Sequence, residues 1–396
     1  MSGLASSTVG TQEGTGAQAS VTPILEIRDL SIAYAAESGM LNAVQHVDLT
    51  LAPGEIVGLA GESGSGKSTL ALGACRLLRP PAVITGGDIT YRGHRVGPEG
   101  VKILQQNARQ LRALRWREIA IVFQSAMNAL NPVLNVGDQL GDVLDAHLKI
   151  SREQRRDRLV SLLDLVGIPR ERLKSYPHEL SGGMRQRVMI AMALAVDPEI
   201  VIMDEPTTAL DVVVQQEILA QIAELQKERQ FAVLFITHDL SLLLEIADRI
   251  AILYAGRLVE LGTAEEIHNR TAHPYTTGLL ESFPSVRGPR KRLKGIPGSP
   301  PDLRHIPGGC PFEPRCRYAT VECLSVDMDA LAVPGSSAGH ITACPFVMPG
   351  AVDPAHAAAA QARDSLNGKG RAWLGVETDI SLATSVEGSP GEEAQP

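Results

Sequence analysis

The segment Gly61-Glu62-Ser63-Gly64-Ser65-Gly66-Lys67-Ser68 constrains this chain more than any other. It fits the spacing G-x-x-x-x-G-K-[ST]. It follows a short apolar strand pattern, Glu55–Ala60, and opens a helical pattern from Lys67 to Leu78. A strand, a glycine loop and a helix in that order begin a parallel α/β unit. Glycines let backbone N–H groups converge on phosphate oxygens with no Cβ in the way, and the helix start adds its positive end. In such a loop Lys67 reaches the β- and γ-phosphates of a nucleotide and Ser68 ligates Mg²⁺.

The surrounding pattern extends the α/β reading. ILEIRDLSIAY, from Ile24, alternates like a half-buried strand, and Ala43–Leu51 does the same before the turn at Pro53-Gly54. Ile119–Phe123, Ile200–Met203 and Val233–Ile236 read as buried strands, with a helix over Val213–Arg229. Residues 137–195 are mostly helical by pattern, including Arg152–Val166, and Arg249–Tyr254 with Arg257–Leu261 reads as a hairpin. The strand IVIM runs into Asp204-Glu205. A buried parallel strand delivers acids at its C-terminal edge, where α/β ligands bind. Asp204 there suits Mg²⁺ and Glu205 suits polarising an attacking water. Leu180-Ser181-Gly182-Gly183-Met184-Arg185-Gln186-Arg187 places a good N-cap and two glycines at a helix start, a second anion site in a chain with one Mg²⁺ site.

LSGGMRQR lying between such a phosphate loop and such a strand resembles the ATPase subunits of ABC transporters, over roughly residues 24–263. The resemblance implies a P-loop fold: a RecA-like mixed sheet, an antiparallel β subdomain and a helical signature subdomain at about 137–195. It implies that Tyr34 stacks on adenine and that the nucleotide contacts run on to Thr69. Gln124 is the Q-loop glutamine, also near Mg²⁺, Thr208-Ala209-Leu210-Asp211 is the D-loop, and His238 is the switch histidine. It further implies that ATP lies between the phosphate loop of one subunit and the LSGGM loop of another. With one copy of each motif, this chain is then half of a dimer, and closure on ATP is the work stroke.

Beyond residue 263, His273-Pro274-Tyr275-Thr276, Gly295-Ile296-Pro297-Gly298-Ser299-Pro300-Pro301 and Cys310-Pro311-Phe312…Arg315-Cys316 are similar to the C-terminal extension of bacterial oligopeptide, dipeptide and nickel importers. The cysteine-bearing form suggests the D-type ATPase of such a system. The partners implied are a second ATPase subunit (a sister chain or another copy), two transmembrane permease subunits and an extracytoplasmic peptide-binding protein. The place implied is the cytoplasmic side of the inner membrane, held through the permeases. Ser125 departs from the acidic residue that many relatives carry after the glutamine.

Cysteine usage sharpens that region. Cys75, alone in the first 309 residues, suits a small core residue, whereas Cys310, Cys316, Cys323 and Cys344 fall close together with spacing C-x5-C-x6-C-x20-C. Four thiolates suit zinc or an iron–sulfur cluster, and buried or exposed free thiols remain open. The resemblance favours a 4Fe-4S cluster with a structural role. A redox or iron sensor that gates the ATPase is a further reading.

Composition removes other classes. The charge balance of 37 − 45 = −8 disfavours a globally basic nucleic-acid binder, and 4% aromatic residues disfavour a stacking platform. The arginines at 109, 112, 115 and 117 read as a solvated helix face. The apolar runs are too short to cross a bilayer, and no secretory signal is visible. A soluble ABC ATPase of translation or repair commonly carries two cassettes or a long coiled-coil insertion, and neither pattern occurs here. The expected organisation is a flexible leader at 1–23, a nucleotide-binding domain at 24–263, an extension at 264–349 and a disordered tail at 350–396.

Overall fold

The computed structural model describes residues 21–37, 39–97, 99–124, 129–208, 210–282, 295–306, 308–348 and 351–352. The expected leader up to residue 20, Ser125, Ala209 and the expected tail from 353 lie outside the described residues.

Two sheets carry the fold. The first is antiparallel, β2-β1-β4-β5, made of β1 (Leu25–Ala36), β2 (Gly39–Leu51), β4 (Ala82–Tyr91) and β5 (Val101–Lys102). The second runs β11-β12-β10-β9-β3-β8-β7-β6. At its centre β3 (Ile56–Ala60), β6 (Ile119–Val122), β7 (Ile200–Asp204), β8 (Ala232–Ile236) and β9 (Arg249–Tyr254) are parallel. Antiparallel to them, β10 (Arg257–Thr263) pairs with β9, and the two-residue strands β12 (Ile341–Thr342) and β11 (Leu331–Ala332) follow on its outer side.

Every residue of β3, β6, β7 and β8 is buried, which is why these strands read as unbroken apolar runs. The period of two sorts their side chains into two cores. Val201, Met203, Val233 and Phe235 belong to one, and Ile200, Ile202, Leu234 and Ile236 to the other. The second core takes in the antiparallel sheet and α1 (Lys67–Ala74), with Cys75 buried in it. The first takes in α3 (Val136–His147), α4 (Arg152–Leu165), α5 (Gly182–Ala193), α6 (Val212–Arg229) and α7 (Leu240–Ile246). It also takes in Tyr275 and Leu279 of α9 (Pro274–Ser282) and, further along, Phe312, Cys316 and Ala319.

Two elements differ from the sequence reading. The helix expected to reach Leu78 stops at Ala74, because Arg76 takes a left-handed conformation (φ 50°). The Arg76 and Leu77 amides then donate to the Gly73 and Leu72 carbonyls, closing the helix end as a glycine ordinarily does. Strand β4 was not foreseen, since Gly86-Gly87 interrupts its alternation, yet it pairs with β1 along most of its length. Arg115, read as part of a solvated face, instead turns back to donate to the Cys75 and Arg76 carbonyls.

Candidate functional site

In sheet order, β3, β8, β7 and β6 lie side by side and parallel, so their C-terminal ends open on one edge. Those ends lead respectively into Gly61, His238, Asp204-Glu205 and Gln124. Topology therefore gathers residues far apart in the chain, at the place where ligands bind in open α/β sheets.

Backbone geometry fixes the phosphate loop. Gly61 has φ 149° and Gly66 φ 102°; a Cβ at either would lie 2.2 Å from the Leu253 carbonyl oxygen or 2.3 Å from that of Ala43. No side chain caps α1 at Gly66, which leaves its first N–H groups for another acceptor. Lys67 is only 5% exposed, and its ammonium donates to the carbonyl oxygens of Gly61 and Glu62 at 2.8 Å each. Burial pulls this ammonium below the usual lysine range, against the opposing pull of Glu205, Asp204 and Glu62.

Asp204 meets the loop directly. The Ser68 hydroxyl donates to Asp204 at 3.0 Å across 136 positions of sequence. Asp204 is 6% exposed. Its carboxyl is pushed up by burial and by Glu205, while the Ser68 bond and Lys67 oppose the shift. A hydroxyl and a carboxylate so placed are hard oxygen donors suited to Mg²⁺. Glu205 sits in a left-handed conformation (φ 46°) that non-glycine residues rarely adopt, with its N–H donating to the Ile236 carbonyl. Its carboxylate accepts from Gln124 Nε2 at 2.9 Å and from the Thr208 hydroxyl at 3.0 Å, and His238 Nδ1 stands 3.5 Å away.

Other candidates lie outside this group. The Tyr34 hydroxyl shares a hydrogen bond with Thr69 beside α1. Ser63 and Gly64 are exposed at the loop tip, and Ser65 is buried beneath it. Ser181 is exposed and caps α5 by accepting from the Met184 amide, with Gly182 and Gly183 forming the first turn. Asp211 caps α6 in the same way through Val214, and the next residues, Val212 and Val213, are 73% and 68% exposed.

Sequence reasoning missed a set of contacts on Glu62. Its amide donates to the Tyr275 hydroxyl at 2.8 Å, and its carboxylate takes a two-pronged ion pair from Arg315 at 2.6 and 2.9 Å. Arg315 also donates to the Tyr254 hydroxyl and the Pro297 carbonyl. Arg315 was visible as part of the quoted cysteine motif, but no local pattern names a partner 253 positions away.

Cys310, Cys316, Cys323 and Cys344 line one narrow apolar cavity of about 20 Å³, together with His273 and Phe312. Burial pushes the Cys310 thiol up to about 11 and Cys344 to about 12, with Cys316 raised further in the same direction. Among the described residues, however, no three His, Cys, Asp or Glu side chains are gathered closely enough to hold a metal ion. The expected ligand set thus shares a cavity without forming a single-ion site. The arrangement does not fit a tetrahedral zinc ion, whose sulfurs stand about 2.3 Å from the metal. Among the described residues, the four sulfurs of the expected iron–sulfur site are likewise not gathered into a metal-holding group.

Residues 44–208 match the ABC transporter family, and residues 259–323 match the oligopeptide/dipeptide transporter C-terminal region. The chain is 45% identical over 303 residues to the oligopeptide transport ATP-binding protein OppD of Bacillus subtilis, covering 76% of this chain and 83% of that one. Against OppD of Salmonella typhimurium the identity is 42% over 323 residues, with 81% and 93% covered. It belongs to the ATP-binding subunits of oligopeptide ABC transporters. Like the family, it is an ATPase subunit, and its fold is the ABC cassette. A dimeric structure of MJ0796, described as a bacterial ABC transporter cassette, is similar with a TM-score of 0.53 and 28% identity, covering 61% of this chain and 98% of that one. Another structure of that cassette is described as a post-hydrolysis state bound to ADP and Pi. Among the described residues, no helix of this family member is long and apolar enough to cross a membrane.

Proposed function

We propose that this chain binds ATP–Mg²⁺ on residues 61–69 and hydrolyses it with Glu205 as the acceptor of the water proton. The single observation that carries this reading is the grip on Glu205. Gln124 and Thr208 donate to the Glu205 carboxylate, and His238 stands 3.5 Å from it, beside an acid, Asp204, that is bonded to the phosphate loop. Ser68, Asp204 and Gln124 would hold Mg²⁺, which when bound neutralises phosphate charge. Lys67 supplies a desolvated positive charge to the β- and γ-phosphates, and the α1 amides face the same oxygens. His238 is placed to contact the γ-phosphate and Tyr34 to cover the base. Glu205→Gln should retain ATP affinity within about threefold while turnover falls at least 100-fold, the ordinary worth of a general base. Equilibrium binding and phosphate release measure the two separately. Unimpaired turnover would remove Glu205 from this role.

The same reading makes the chain half of a nucleotide-sandwich dimer. Ser181, Gly182, Gly183 and Asp211 complete the ATP site of the other half, a sister ATPase or a second copy. The exposed position of these helix starts, with bare Val212 and Val213 beside them, supports an apposed surface. The dimer powers import of di- or oligopeptides through two permease subunits, fed by an extracytoplasmic binding protein, and attaches to the cytoplasmic face of the membrane through those permeases. Residues 24–263 form the nucleotide-binding domain, with its helical part at about 137–195, and 264–349 form the peptide-importer extension.

The four cysteines hold a cluster of the 4Fe-4S type in this reading, and its role is to fix the extension. Their common cavity and thiol chemistry support it. Anaerobic purification with iron, labile sulfide and zinc analysis tests it, and colourless protein without iron would end it.

A further inference from the structure

Glu62 is held at three points. Its amide is bonded to Tyr275 and its carbonyl to Lys67, while its carboxylate is paired with Arg315. Two of these partners come from the segment after residue 263, so the extension reaches into the phosphate loop itself. The Arg315 side chain is 6% exposed and that of Glu62 25%, and Tyr254 and the Pro297 carbonyl hold the guanidinium in place. A planar fork on a carboxylate fixes both direction and distance.

We propose that Arg315 is a positioning residue of the nucleotide site, neutralising and orienting Glu62 so that the loop can accept phosphates. This rests on reading 61–69 as the phosphate loop. Without the guanidinium, Glu62 becomes an unpaired negative charge beside Lys67, competing for that ammonium and repelling the incoming polyphosphate. Because Arg315 adjoins Cys316, any loss of order around the cysteine cavity is felt at the ATP site as a loss of this neutralisation.

The test measures ATP affinity, KM and kcat for the full chain with its native partner subunits. Arg315→Gln keeps a donor for the Pro297 carbonyl but removes the charge. It should weaken ATP binding about tenfold, in KM rather than kcat. Adding Glu62→Gln to that variant should recover most of the loss, because no carboxylate is then left unpaired. Arg315→Lys, which keeps the charge but loses the planar fork, should fall between Arg315→Gln and the parent. Parental affinity in Arg315→Gln overturns the proposal, and so does a loss that Glu62→Gln fails to relieve, since a purely structural role predicts no such rescue. Should Arg315→Gln not fold, the double variant decides. A folded double variant binding ATP near the parental level supports the proposal, and one that also fails to fold overturns it. Failure of the phosphate-loop reading looks different, because Lys67→Ala would then bind ATP as tightly as the parent.

Discussion

The phosphate-loop edge of the sheet and the cysteine-bearing extension are built on opposite principles. At the sheet edge, regular strands and helices place the chemistry, so that Gln124, Asp204, Glu205 and His238 meet because β6, β7 and β8 end together. In the extension most of the described chain from 295 to 348 is irregular; Phe312 is buried in the core, Arg315 makes an ion pair to Glu62, and four thiols line one cavity. The two regions nonetheless touch at Glu62, whose carbonyl is bonded to Lys67 and whose amide and carboxylate are bonded to Tyr275 and Arg315 of the extension.

The sharpest test of that contrast is Lys67→Ala. It should weaken ATP binding by 100-fold or more, as loss of charge-assisted bonds to phosphate implies. The nucleotide-free protein should hardly lose stability, because the wild-type site buries a charge at a desolvation penalty. Calorimetric binding and a thermal melt would read the two effects, and a large drop in the melt would blur the contrast. Next comes Phe312→Ala. This ring is 2% exposed and packs edge-on to Tyr254 and Tyr275, so its removal should cost about 3 kcal/mol in denaturant unfolding. A single shifted transition would show the extension and cassette unfolding as one unit, and an added early transition would show them separable.

Ser181→Ala should remove the α5 cap, for about 1 kcal/mol of stability, and weaken ATP-dependent dimer formation measured by sedimentation. The smallest effect concerns Glu266, which lies in the first turn of α8 (Ala264–Asn269) and accepts a hydrogen bond from the Ser337 amide. Burial pushes its carboxyl up, but bonds from Thr263 and Ser337 prevail and hold it down to about 2. A carboxyl lowered on folding contributes stability that is present above its unfolded value of about 4.5 and lost as pH falls toward 2. Glu266→Gln should therefore flatten part of the acid limb of the stability–pH curve between those values, and an unchanged limb would remove this tie.

How much could be read from the residues follows the same division. The glycine loop, the acid-ended strand and the capped helix starts are local patterns, and each fell on the element expected for it. The end of α1 was hidden because arginine, not glycine, adopts the left-handed turn at 76. Strand β4 was hidden because paired glycines broke its period. The cysteines announced themselves by spacing, but their shared cavity depends on how an irregular chain doubles back, which no periodicity encodes. Least legible was the Arg315–Glu62 pair, since each half lies in a motif read for other residues and only the folded chain brings the two together.

Strand β12 has one more effect. By pairing Ile341 and Thr342 with Leu261 and Glu260, it covers a row of backbone donors and acceptors along β10. A chain cut after residue 263 would bare that row, and an uncovered strand of this kind templates pairing with its like. Such a shortened cassette should self-associate, and in time precipitate, at concentrations where the longer protein remains dispersed.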